Sequence, residues 1–452
     1  LGKKVVGFID DDRQKLGTYI NGIKVLGNRN DIVSVAQEKN IDEIIIAIAS
    51  INDEVLRGII DKCKDAKVPV KIMPGVAEMI DEKFSINKIR DVNVEDLLGR
   101  EAITLDHEGI ADYLEGKVVL VTGGGGSIGS ELCRQIAKFE PKQLIIFDIY
   151  ENNAYEIQNE LKRNYPNLNL VTLIGSVRDK VKLKQVYNKY NPQVVFHAAA
   201  HKHVPLMEDS PAEAIKNNVV GTFNVAKLAS KHNVERFVLI STDKAVNPTN
   251  VMGATKRMCE MIIQSIDKVS KTEFVAVRFG NVLGSNGSVV PLFKRQIANG
   301  GPVTLTHKDI TRYFMTIPEA TQLVLQAGAY AEGGEIFVLD MGEPVKIYDL
   351  AENLIKLSGF EPHKDIKIEI TGLRPGEKLY EELLMNEEGL TETKHKKIFI
   401  GKPGEFEFDD IERKINELLN IAINGNEQIL REKLKEYVPT YKEPEEVNSK
   451  VS

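Results

Sequence analysis

The chain has no tryptophan, three cysteines among its 452 residues, and no apolar run of the roughly 18 residues that a membrane-spanning helix needs. Cys63, Cys133 and Cys259 lie far apart and form no CxxC pair, so the thiols are predicted to be reduced, as in a cytoplasmic compartment. No secretory signal is visible at the N-terminus. These absences disfavour a disulfide-stabilised secreted protein and a chain that itself spans a membrane.

The chain also has no large excess of acidic or of basic residues. The chain carries 66 acidic and 59 basic residues, interspersed, for a formal net charge of −7. This balance argues against nucleic acid as the main partner, although a local basic site for phosphate is compatible with it. The length predicts two or three domains, and the hydrophobic content of 42% is ordinary for a soluble globular protein.

Residues 1–75 are predicted to form a small α/β domain. Apolar runs at residues 4–9, 44–49 and 68–73 predict strands, and helical periodicity fits residues 30–39 and 52–66. We expect a parallel sheet and, because no glycine-rich phosphate loop is present, a degenerate nucleotide-binding fold whose ligand is not readable. Three successive aspartates after the first run are interpreted as a solvated turn, and no metal site is predicted in the chain.

A connecting segment, residues 76–115, leads into a second α/β series at residues 116–285. Strands and helical patterns alternate there, which is typical of a Rossmann-type doubly wound parallel sheet. The predicted strands are residues 118–122, 143–148, 169–174, 193–198, 235–241 and 273–279. Residues 286–400 are expected to form a smaller lid at the carboxyl ends of the strands, and residues 401–452 a helical and then polar C-terminal tail.

Residues 123–129 form a glycine-rich loop between a predicted strand and a predicted helix. Gly123, Gly126 and Gly129 fit the pattern G-x-x-G-x-x-G, with Ser127 and Ile128 between the last two glycines. Backbone can approach a pyrophosphate at such a loop, and the helix N-terminus can hold it. The second strand ends at Asp148, where a carboxylate accepts hydrogen bonds from an adenosine ribose and repels a 2′-phosphate. The pattern predicts a dinucleotide site and favours NAD over NADP.

Later strand ends supply further candidates. The residues expected near the cofactor are Ser176, Val177, Ala198, Ala199 and Ala200. The alanines leave room for a ligand because their side chains are small. Lys202, between two histidines, is interpreted as part of a polar loop that faces the substrate and not as part of a metal site.

The fifth predicted strand delivers a hydroxyl, an acid and a base to the carboxyl edge of the sheet, as Thr242, Asp243 and Lys244. Lys256 lies on the following predicted helix, and Met252 stands four residues before it. A thioether can neither give nor take a proton. Proton transfer is therefore expected from residues 242–244, and this combination suggests elimination of water as well as redox chemistry.

These motifs, together with residues 278–284 (RFGNVLG), 312–314 (RYF) and 373–378 (LRPGEK), resemble the extended short-chain dehydrogenase/reductase superfamily. More closely, residues 90–400 resemble the UDP-N-acetylglucosamine 4,6-dehydratases of bacterial polysaccharide and glycan synthesis. A Tyr-x-x-x-Lys pair is usual in the superfamily, so Met252 stands at the tyrosine position. Met252 and the N-terminal α/β domain are similar to the large, membrane-anchored branch, which retains the configuration at C5.

The resemblance implies NAD-dependent dehydration of UDP-N-acetylglucosamine to a UDP-4-keto-6-deoxy-N-acetylhexosamine. It implies that Thr242 contacts the 4-OH, Asp243 is the acid toward the 6-OH and Lys244 is the base at C5. Lys256 would bind the nicotinamide ribose. A lysine that acts as a base near neutral pH needs a lowered pKa. Because an adjacent carboxylate opposes that shift, the acidic and basic roles could be exchanged or shared.

Residues 286–400 would then be the main nucleotide-sugar-binding region. The substrate-binding candidates are Lys202, Asn281, Ser288, Val290, Arg312, Arg374 and Glu377. Arginine suits bidentate recognition of a diphosphate, and Glu377 could accept a hydrogen bond from the uridine ribose. A helix that begins near Ser288 could direct its N-terminus at the diphosphate.

Three alternatives remain at this point: a C5-inverting dehydratase, a nucleotide-sugar 4-epimerase, and a non-catalytic sensor of NAD or a nucleotide sugar. Asp243 and Lys244 argue against an epimerase, and the retained Lys256 argues against a sensor. The resemblance also implies a homodimer formed through helices of the dehydrogenase domain. We expect the full-length protein at the cytoplasmic face of the bacterial inner membrane, with membrane contact only through a segment missing from this soluble chain.

Overall fold

The computed structural model describes residues 3–48, 53–73, 89–92, 96, 103–383, 389–402 and 404–443. The chain divides into two compact units. The first unit comprises residues 1–102, 286–310 and 345–372, and the second comprises residues 103–285, 311–344 and 373–452. The region 286–400, which the sequence predicts as one segment, is distributed over both units because the chain passes from one to the other repeatedly.

The strands are β1 (Phe8–Ile9), β2 (Tyr19–Ile20), β3 (Ile23–Gly27), β4 (Ile44–Ile46), β5 (Val70–Ile72), β6 (Arg90–Asp91), β7 (Val118–Thr122), β8 (Gln143–Asp148), β9 (Leu170–Ile174), β10 (Val194–His197), β11 (Arg236–Ile240), β12 (Glu273–Arg278), β13 (Asn281–Val282), β14 (Val303–Leu305), β15 (Thr311–Arg312), β16 (Phe314–Met315), β17 (Ile336–Leu339), β18 (Val345–Lys346), β19 (Ile368–Ile370), β20 (Leu390–Glu392) and β21 (Ile398–Gly401).

The α-helices are α1 (Ile32–Glu38), α2 (Asp53–Cys63), α3 (His107–Leu114), α4 (Ser127–Ala137), α5 (Glu151–Asn164), α6 (Lys180–Tyr190), α7 (Val204–Asp209), α8 (Pro211–Ala214), α9 (Gly221–Lys231), α10 (Val251–Asp267), α11 (Val289–Ala298), α12 (Ile317–Ala329), α13 (Ile347–Leu357), α14 (Phe408–Asn424) and α15 (Glu427–Tyr437). Short 3₁₀ turns occupy Arg29–Asp31, Lys64–Ala66 and Asp243–Ala245, and Ile215–Val220 is π-helical. No helix within the described ranges combines the length and the apolar character needed to cross a bilayer.

The first unit has mixed sheets, so the parallel sheet predicted for residues 1–75 is confirmed for the pairing of β4 with β5 but does not account for the antiparallel pairings of the described residues. β3 pairs in parallel with β1 and antiparallel with β2, while β5 pairs in parallel with β4 and antiparallel with β6. The hairpin of β2 and β3 follows from Asn21 and Gly22, whose φ angles of 49° and 79° suit a two-residue hairpin turn. β1, β4 and β5 are also shorter than the predicted apolar runs.

The second unit is built on a large, mostly parallel sheet. Among the described residues, the strand order is β20-β21-β17-β12-β11-β10-β7-β8-β9. The pairings from β9 to β17 are parallel, and β21 pairs antiparallel with both β17 and β20. The predicted Rossmann-type doubly wound fold is confirmed. The six predicted strands match β7 to β12 to within one residue at each end.

Alternating side chains of the central strands enter two hydrophobic cores, one on each face of this sheet. Leu120 and Val195 lie in one core, and Val119 and Phe196 lie in the other. Burial on both faces explains why these strands read as nearly continuous apolar runs. The strand order reverses between β7 and β10, so the loops that follow these two strands border the crevice in which doubly wound folds bind ligands.

The C-terminal helices are an integral part of the second unit. α14 and α15 pack on α10 and contribute residues such as Ile411, Leu418 and Leu434 to the core. α10 is buried along its length, from Val251 to Ile266. A dimer interface through α10 would require the two C-terminal helices to move. The homodimer therefore stays a prediction, and the face of α10 is covered within this chain.

Candidate active site

The loop after β7 is packed so closely that two of its positions require glycine. Gly123 has a φ of +69°, and an added Cβ would lie 2.7 Å from the backbone nitrogen of Ala199. An added Cβ at Gly129 would lie 2.0 Å from the carbonyl oxygen of Gly123. Gly126 is the N-cap of α4 and has no capping side chain. The first turn of α4, at residues 127–128, thus has the architecture of a phosphate-binding helix N-terminus.

Replacing Gly129 with alanine is expected to weaken NAD binding by roughly 5- to 150-fold, because overpacking of this kind costs about 1–3 kcal/mol. The new methyl group would collide with the backbone of Gly123, so the loop itself has to move. Titration calorimetry with NAD measures the loss. Gly58→Ala in α2 is the matched control, since an added Cβ there meets no atom within 4 Å. Equal affinity of Gly129→Ala and wild type would contradict the assignment of this loop.

Asp148 holds the glycine loop from the adjacent strand. Its Oδ2 accepts a hydrogen bond from the Gly125 N–H at 2.8 Å, and its Oδ1 accepts one from the Tyr150 N–H at 2.8 Å. The side chain is largely buried, at 8% exposure. Each carboxylate oxygen keeps a second lone pair, which is compatible with the predicted ribose contact. The loop and this carboxylate fit a dinucleotide without a 2′-phosphate in both shape and charge.

The other cofactor candidates lie after β9 and β10. Ser176 Oγ accepts a hydrogen bond from the Arg178 N–H at 3.2 Å. The Val177 side chain belongs to the hydrophobic core, so it packs within the fold. The Ala198 N–H donates to the Thr122 carbonyl at 3.0 Å, which extends the pairing of β7 and β10.

Asn218 anchors the loop that follows β10. Its Oδ1 accepts a hydrogen bond from the His201 N–H at 2.8 Å, and its Nδ2 donates to the His201 carbonyl at 3.0 Å. The same amide donates to Thr255 Oγ1 on α10 at 3.1 Å. Asn218 therefore shapes the site, as a buried residue of the π-helical turn. On either side of His201, Ala200 and Lys202 are exposed and accessible to a ligand.

His197 is a buried link between the two strands that border the crevice. Its Nδ1 lies 2.6 Å from Thr122 Oγ1, and its Nε2 lies 2.9 Å from Thr222 Oγ1. Burial, together with the nearby charge of Lys256, lowers the pKa of His197 to about 3. The imidazole is therefore neutral at neutral pH, and its role is to connect β7, β10 and α9.

Thr242, Asp243 and Lys244 form one hydrogen-bonded group at the end of β11. Thr242 Oγ1 donates to Asp243 Oδ1 at 2.8 Å, and Lys244 Nζ donates to the same oxygen at 3.0 Å. Asp243 is fully buried, and no donor within the described part of the chain reaches its Oδ2. An added Cβ at Gly280 would lie 3.2 Å from that oxygen. The structure thus brings the predicted hydroxyl, acid and base into contact.

Lys244 is held as a cation. Its Nζ also donates to Asn281 Oδ1 at 3.1 Å and lies 3.5 Å from Glu381 Oε1. Burial acts to lower the pKa of Lys244, but Asp243 and Glu381 outweigh both burial and the charge of Arg312, so the pKa is raised. The adjacent carboxylate opposes a lowered pKa, as the sequence predicts, and the second carboxylate, Glu381, adds to this effect, so the ammonium group is stabilised.

Lys256 and Met252 both lie on α10, and both are buried. Lys256 Nζ donates to the Ile240 carbonyl at 2.6 Å, and burial lowers the pKa of Lys256. Met252 is 3% exposed and belongs to the hydrophobic core. The residue at the tyrosine position therefore packs within the fold and supplies no proton donor.

A buried ion network supports the ends of β11 and β12. Glu260 accepts hydrogen bonds from Nε and Nη2 of Arg278, each at 2.7 Å. It also accepts from Ser241 Oγ at 2.7 Å and from Arg257 Nη1 at 3.0 Å. Burial acts to raise the pKa of Glu260, but these donors lower it to about 2. The network fixes Ser241, which directly precedes the group of Thr242, Asp243 and Lys244.

Arg312 lies near that group and is already paired. Its Nη1 donates to the Thr311 carbonyl at 2.7 Å, its Nη2 donates to Glu377 Oε1 at 3.4 Å, and its Nε lies 3.8 Å from Glu381 Oε1. Glu377 Oε2 accepts from the Arg374 N–H at 3.2 Å, whereas the Arg374 residue is exposed. The observed contacts of Glu377 orient Arg312, and its predicted contact with a ribose stays a prediction.

Ser288 and Val290 belong to the first unit. Ser288 is the N-cap of α11 without a side-chain cap bond, and Val290 is buried in that helix. Ser288 Oγ has no hydrogen-bond partner among the described residues. Their contact with a diphosphate stays a prediction. In the ranges that the structure describes, no group of three or more His, Cys, Asp or Glu side chains is arranged to hold a metal ion.

Two family models match the chain. One, described as "Polysaccharide biosynthesis protein", matches residues 119–403, and one described as "CoA-binding domain" matches residues 1–74. The chain is 55% identical over 398 residues to the "Probable polysaccharide biosynthesis protein EpsC" of Bacillus subtilis, covering 88% of this chain and 66% of that protein. The chain therefore spans slightly less than two thirds of the length of this relative.

Two further matches lie at lower identity. The UDP-N-acetylglucosamine 4,6-dehydratase (inverting) of Campylobacter jejuni is 34% identical over 278 residues, which is 60% of this chain and 79% of that protein. The X-ray structure of Pen from Bacillus thuringiensis matches with a TM-score of 0.59 at 36% identity, covering 68% of this chain and 99% of that one.

Proposed function

The chain belongs to the polysaccharide biosynthesis protein family and has an extended short-chain dehydrogenase/reductase fold, and we propose that it is an NAD-dependent UDP-N-acetylglucosamine 4,6-dehydratase that retains the configuration at C5. The observation that carries this proposal is the contact among Thr242, Asp243 and Lys244 at the carboxyl end of β11. A hydroxyl, an acid and a base in one hydrogen-bonded group supply the proton transfers that loss of water requires.

The relatives support the reaction class more directly than its stereochemistry. The Campylobacter relative is named as a dehydratase of UDP-N-acetylglucosamine, and it is named as inverting. Retention in this chain therefore rests on Met252 at the tyrosine position and on the N-terminal α/β domain. We further propose that the full-length protein is a homo-oligomer and that it lies at the cytoplasmic face of the bacterial inner membrane.

NAD is the cofactor that the crevice beside β7 fits. The glycine loop would hold its pyrophosphate, Asp148 its adenosine ribose and Lys256 its nicotinamide ribose. Bound NAD would serve as the hydride acceptor for C4 of the hexose and as the hydride donor to C6, so no external reductant would be consumed. The cationic side chains of Arg312 and Arg374 would hold the substrate diphosphate.

The proposed proton transfers follow hydrogen bonds that already connect Thr242, Asp243 and Lys244. Thr242 takes the proton of the 4-OH while its own proton passes to Asp243 Oδ1, the oxygen to which it donates. The C4 ketone acidifies C5–H, and Lys244 removes that proton. The N–H protons of Lys244 exchange with solvent, and Lys244 then delivers one of them to the same face of C5. Asp243 protonates the departing 6-OH, which leaves as water. The protons balance, and one base acting on one face of C5 yields retention.

Because Lys244 rests as an ammonium group, it has to release one proton to water before it can accept the C5 proton, and it regains a proton from water when the cycle ends. A proton that arrives at Asp243 removes one of the two carboxylate charges that raise the pKa of Lys244, so the first transfer prepares the second. The raised pKa of Lys244 also suits the alternative assignment, in which Lys244 is the acid and Asp243 is the base. In that assignment the 4-OH proton passes from Thr242 to water, Lys244 protonates the 6-OH and later regains a proton from water, and Asp243 Oδ2, which has no donor among the described residues, removes the C5 proton and then protonates C5.

The test is to incubate the protein with UDP-N-acetylglucosamine and NAD and to follow the mass of the sugar nucleotide. We expect loss of one water and, in D₂O, one deuterium at C5 with the configuration retained by NMR. An unchanged mass with a new 4-epimer would identify an epimerase. An unaltered substrate would indicate a non-catalytic sensor. Inversion at C5 would indicate an inverting dehydratase.

A further inference from the structure

Glu381 is a buried charge that the proton steps above do not use. It follows the segment 373–378 in the second unit and is 9% exposed. Its Oε1 lies 3.5 Å from Lys244 Nζ and 3.8 Å from Arg312 Nε. Its Oε2 is buried, and no donor among the described residues reaches it. A carboxylate in such a place is costly unless nearby cations compensate for its lost hydration.

We propose that Glu381 is a positioning residue that orients Lys244 toward the substrate and connects it to Arg312. The proposal rests on the proposed function, because it gives Glu381 a part in the same proton transfer. An ammonium group has three N–H donors. Lys244 Nζ is surrounded by three acceptors: Asp243 Oδ1 at 3.0 Å, Asn281 Oδ1 at 3.1 Å and Glu381 Oε1 at 3.5 Å.

The three acceptors come from separate parts of the chain. Asp243 follows β11, Asn281 begins β13, and Glu381 lies in the C-terminal part of the second unit. Acceptors in three directions restrict a long, flexible side chain to one position, which a single neighbouring carboxylate would not achieve. The arrangement therefore fixes where the amine would meet a substrate carbon.

Glu381 also sets the charge around Lys244. The charged groups that face Lys244 are Asp243 and Glu381, which favour the ammonium form, and Arg312, which opposes it. Without the Glu381 charge, one carboxylate remains against Arg312 and against burial. Lys244 should then release its proton at lower pH.

The decisive variant is Glu381→Gln, which keeps the shape and removes the charge. Competitive acetylation with acetic anhydride across a pH series, read by peptide mass spectrometry, gives the midpoint for Lys244 without any substrate. We expect the midpoint to fall by about one pH unit or more. Glu382→Gln is the matched control, because that neighbouring side chain is 52% exposed and pairs with Lys378, and its midpoint should equal that of wild type.

The charge-conserving variant Glu381→Asp separates this role from a general structural one. It should shift the midpoint less than Glu381→Gln does, and circular dichroism verifies that each variant is folded. At pH values above the Lys244 midpoint of both proteins, where the amine is neutral in each, kcat of Glu381→Gln should fall by about 10- to 100-fold with a smaller change in KM, because the amine is no longer oriented. The limb of the pH profile that reports Lys244 should move to lower pH.

Superimposable acetylation curves of Glu381→Gln and wild type would overturn the proposal, and so would equal shifts in the Glu381 and Glu382 variants. The acetylation experiment also tests the positioning of Lys244 by Glu381 independently of the dehydratase function. If wild type releases no water but the Lys244 midpoint still depends on Glu381, the dehydratase assignment fails, and the positioning of Lys244 by Glu381 stands.

Discussion

Asp243→Asn and Lys244→Ala are each expected to stop the release of water from UDP-N-acetylglucosamine, with losses in kcat of about 10²- to 10⁴-fold. Each change removes one proton-transferring group from the cluster at the end of β11. NAD binding should persist, because neither side chain belongs to the glycine loop. Mass spectrometry of the sugar nucleotide measures the first effect, and titration calorimetry with NAD measures the second.

The matched controls for these variants are Glu38→Gln and Lys39→Ala. Glu38 and Lys39 are likewise an adjacent ion pair, but they are exposed and lie in the first unit. Both control variants should turn over like wild type. Wild-type turnover of either Asp243→Asn or Lys244→Ala would remove that residue from the mechanism.

Lys244→Ala also distinguishes the two assignments of acid and base. If Lys244 is the base, the variant should leave the C5 proton in place when it is incubated with substrate in D₂O. If Asp243 is the base and Lys244 the acid, deuterium should enter C5 of the substrate without loss of water. NMR of the recovered sugar nucleotide reads the difference directly.

Glu260→Ala is expected to lower the free energy of unfolding of the second unit by about 3–5 kcal/mol. The change removes the Glu260 carboxylate, which accepts two hydrogen bonds from the fully buried Arg278. Urea denaturation followed by circular dichroism is the suitable measurement, since the chain has no tryptophan for fluorescence. Amide hydrogen exchange should place the loss of protection in β11 and β12.

The control for Glu260 is Asp410→Ala in α14. Asp410 pairs with Arg413 and Lys414 at the surface, so its loss should cost about 1 kcal/mol or less. Equal destabilisation by the two variants would contradict the importance of the buried network.

The contribution of Glu260 also has a defined pH dependence. Its pKa of about 2 in the folded protein lies below the ordinary value of 4.5, so its stabilising effect is complete above about pH 4.5 and declines as the pH falls toward 2. The difference in unfolding free energy between wild type and Glu260→Gln should therefore narrow below pH 4.5. A difference that stays constant down to pH 3 would show that the carboxylate charge is not the source of the stability.

Much of the second unit is predictable because its determinants are local. Continuous apolar runs place β7 to β12, since strands buried on both faces need no polar alternation. The glycine loop is readable because its close backbone contacts allow no side chain at Gly123 and Gly129. In the first unit, by contrast, the hairpin turn at Asn21 and Gly22 is a local signal that the prediction of a parallel sheet overlooked.

The sequence by itself determined the doubly wound architecture, the glycine loop and the adjacency of Thr242, Asp243 and Lys244, since each of these depends on neighbours in the chain. Only the tertiary structure decided the charge of Lys244, because Glu381 reaches it from a segment well over a hundred residues further along the chain. The pairing of Glu260 with Arg278 and the burial of α10 by the C-terminal helices have the same origin. Electrostatics and packing act through space, and no periodicity or motif in the sequence records which distant side chains meet.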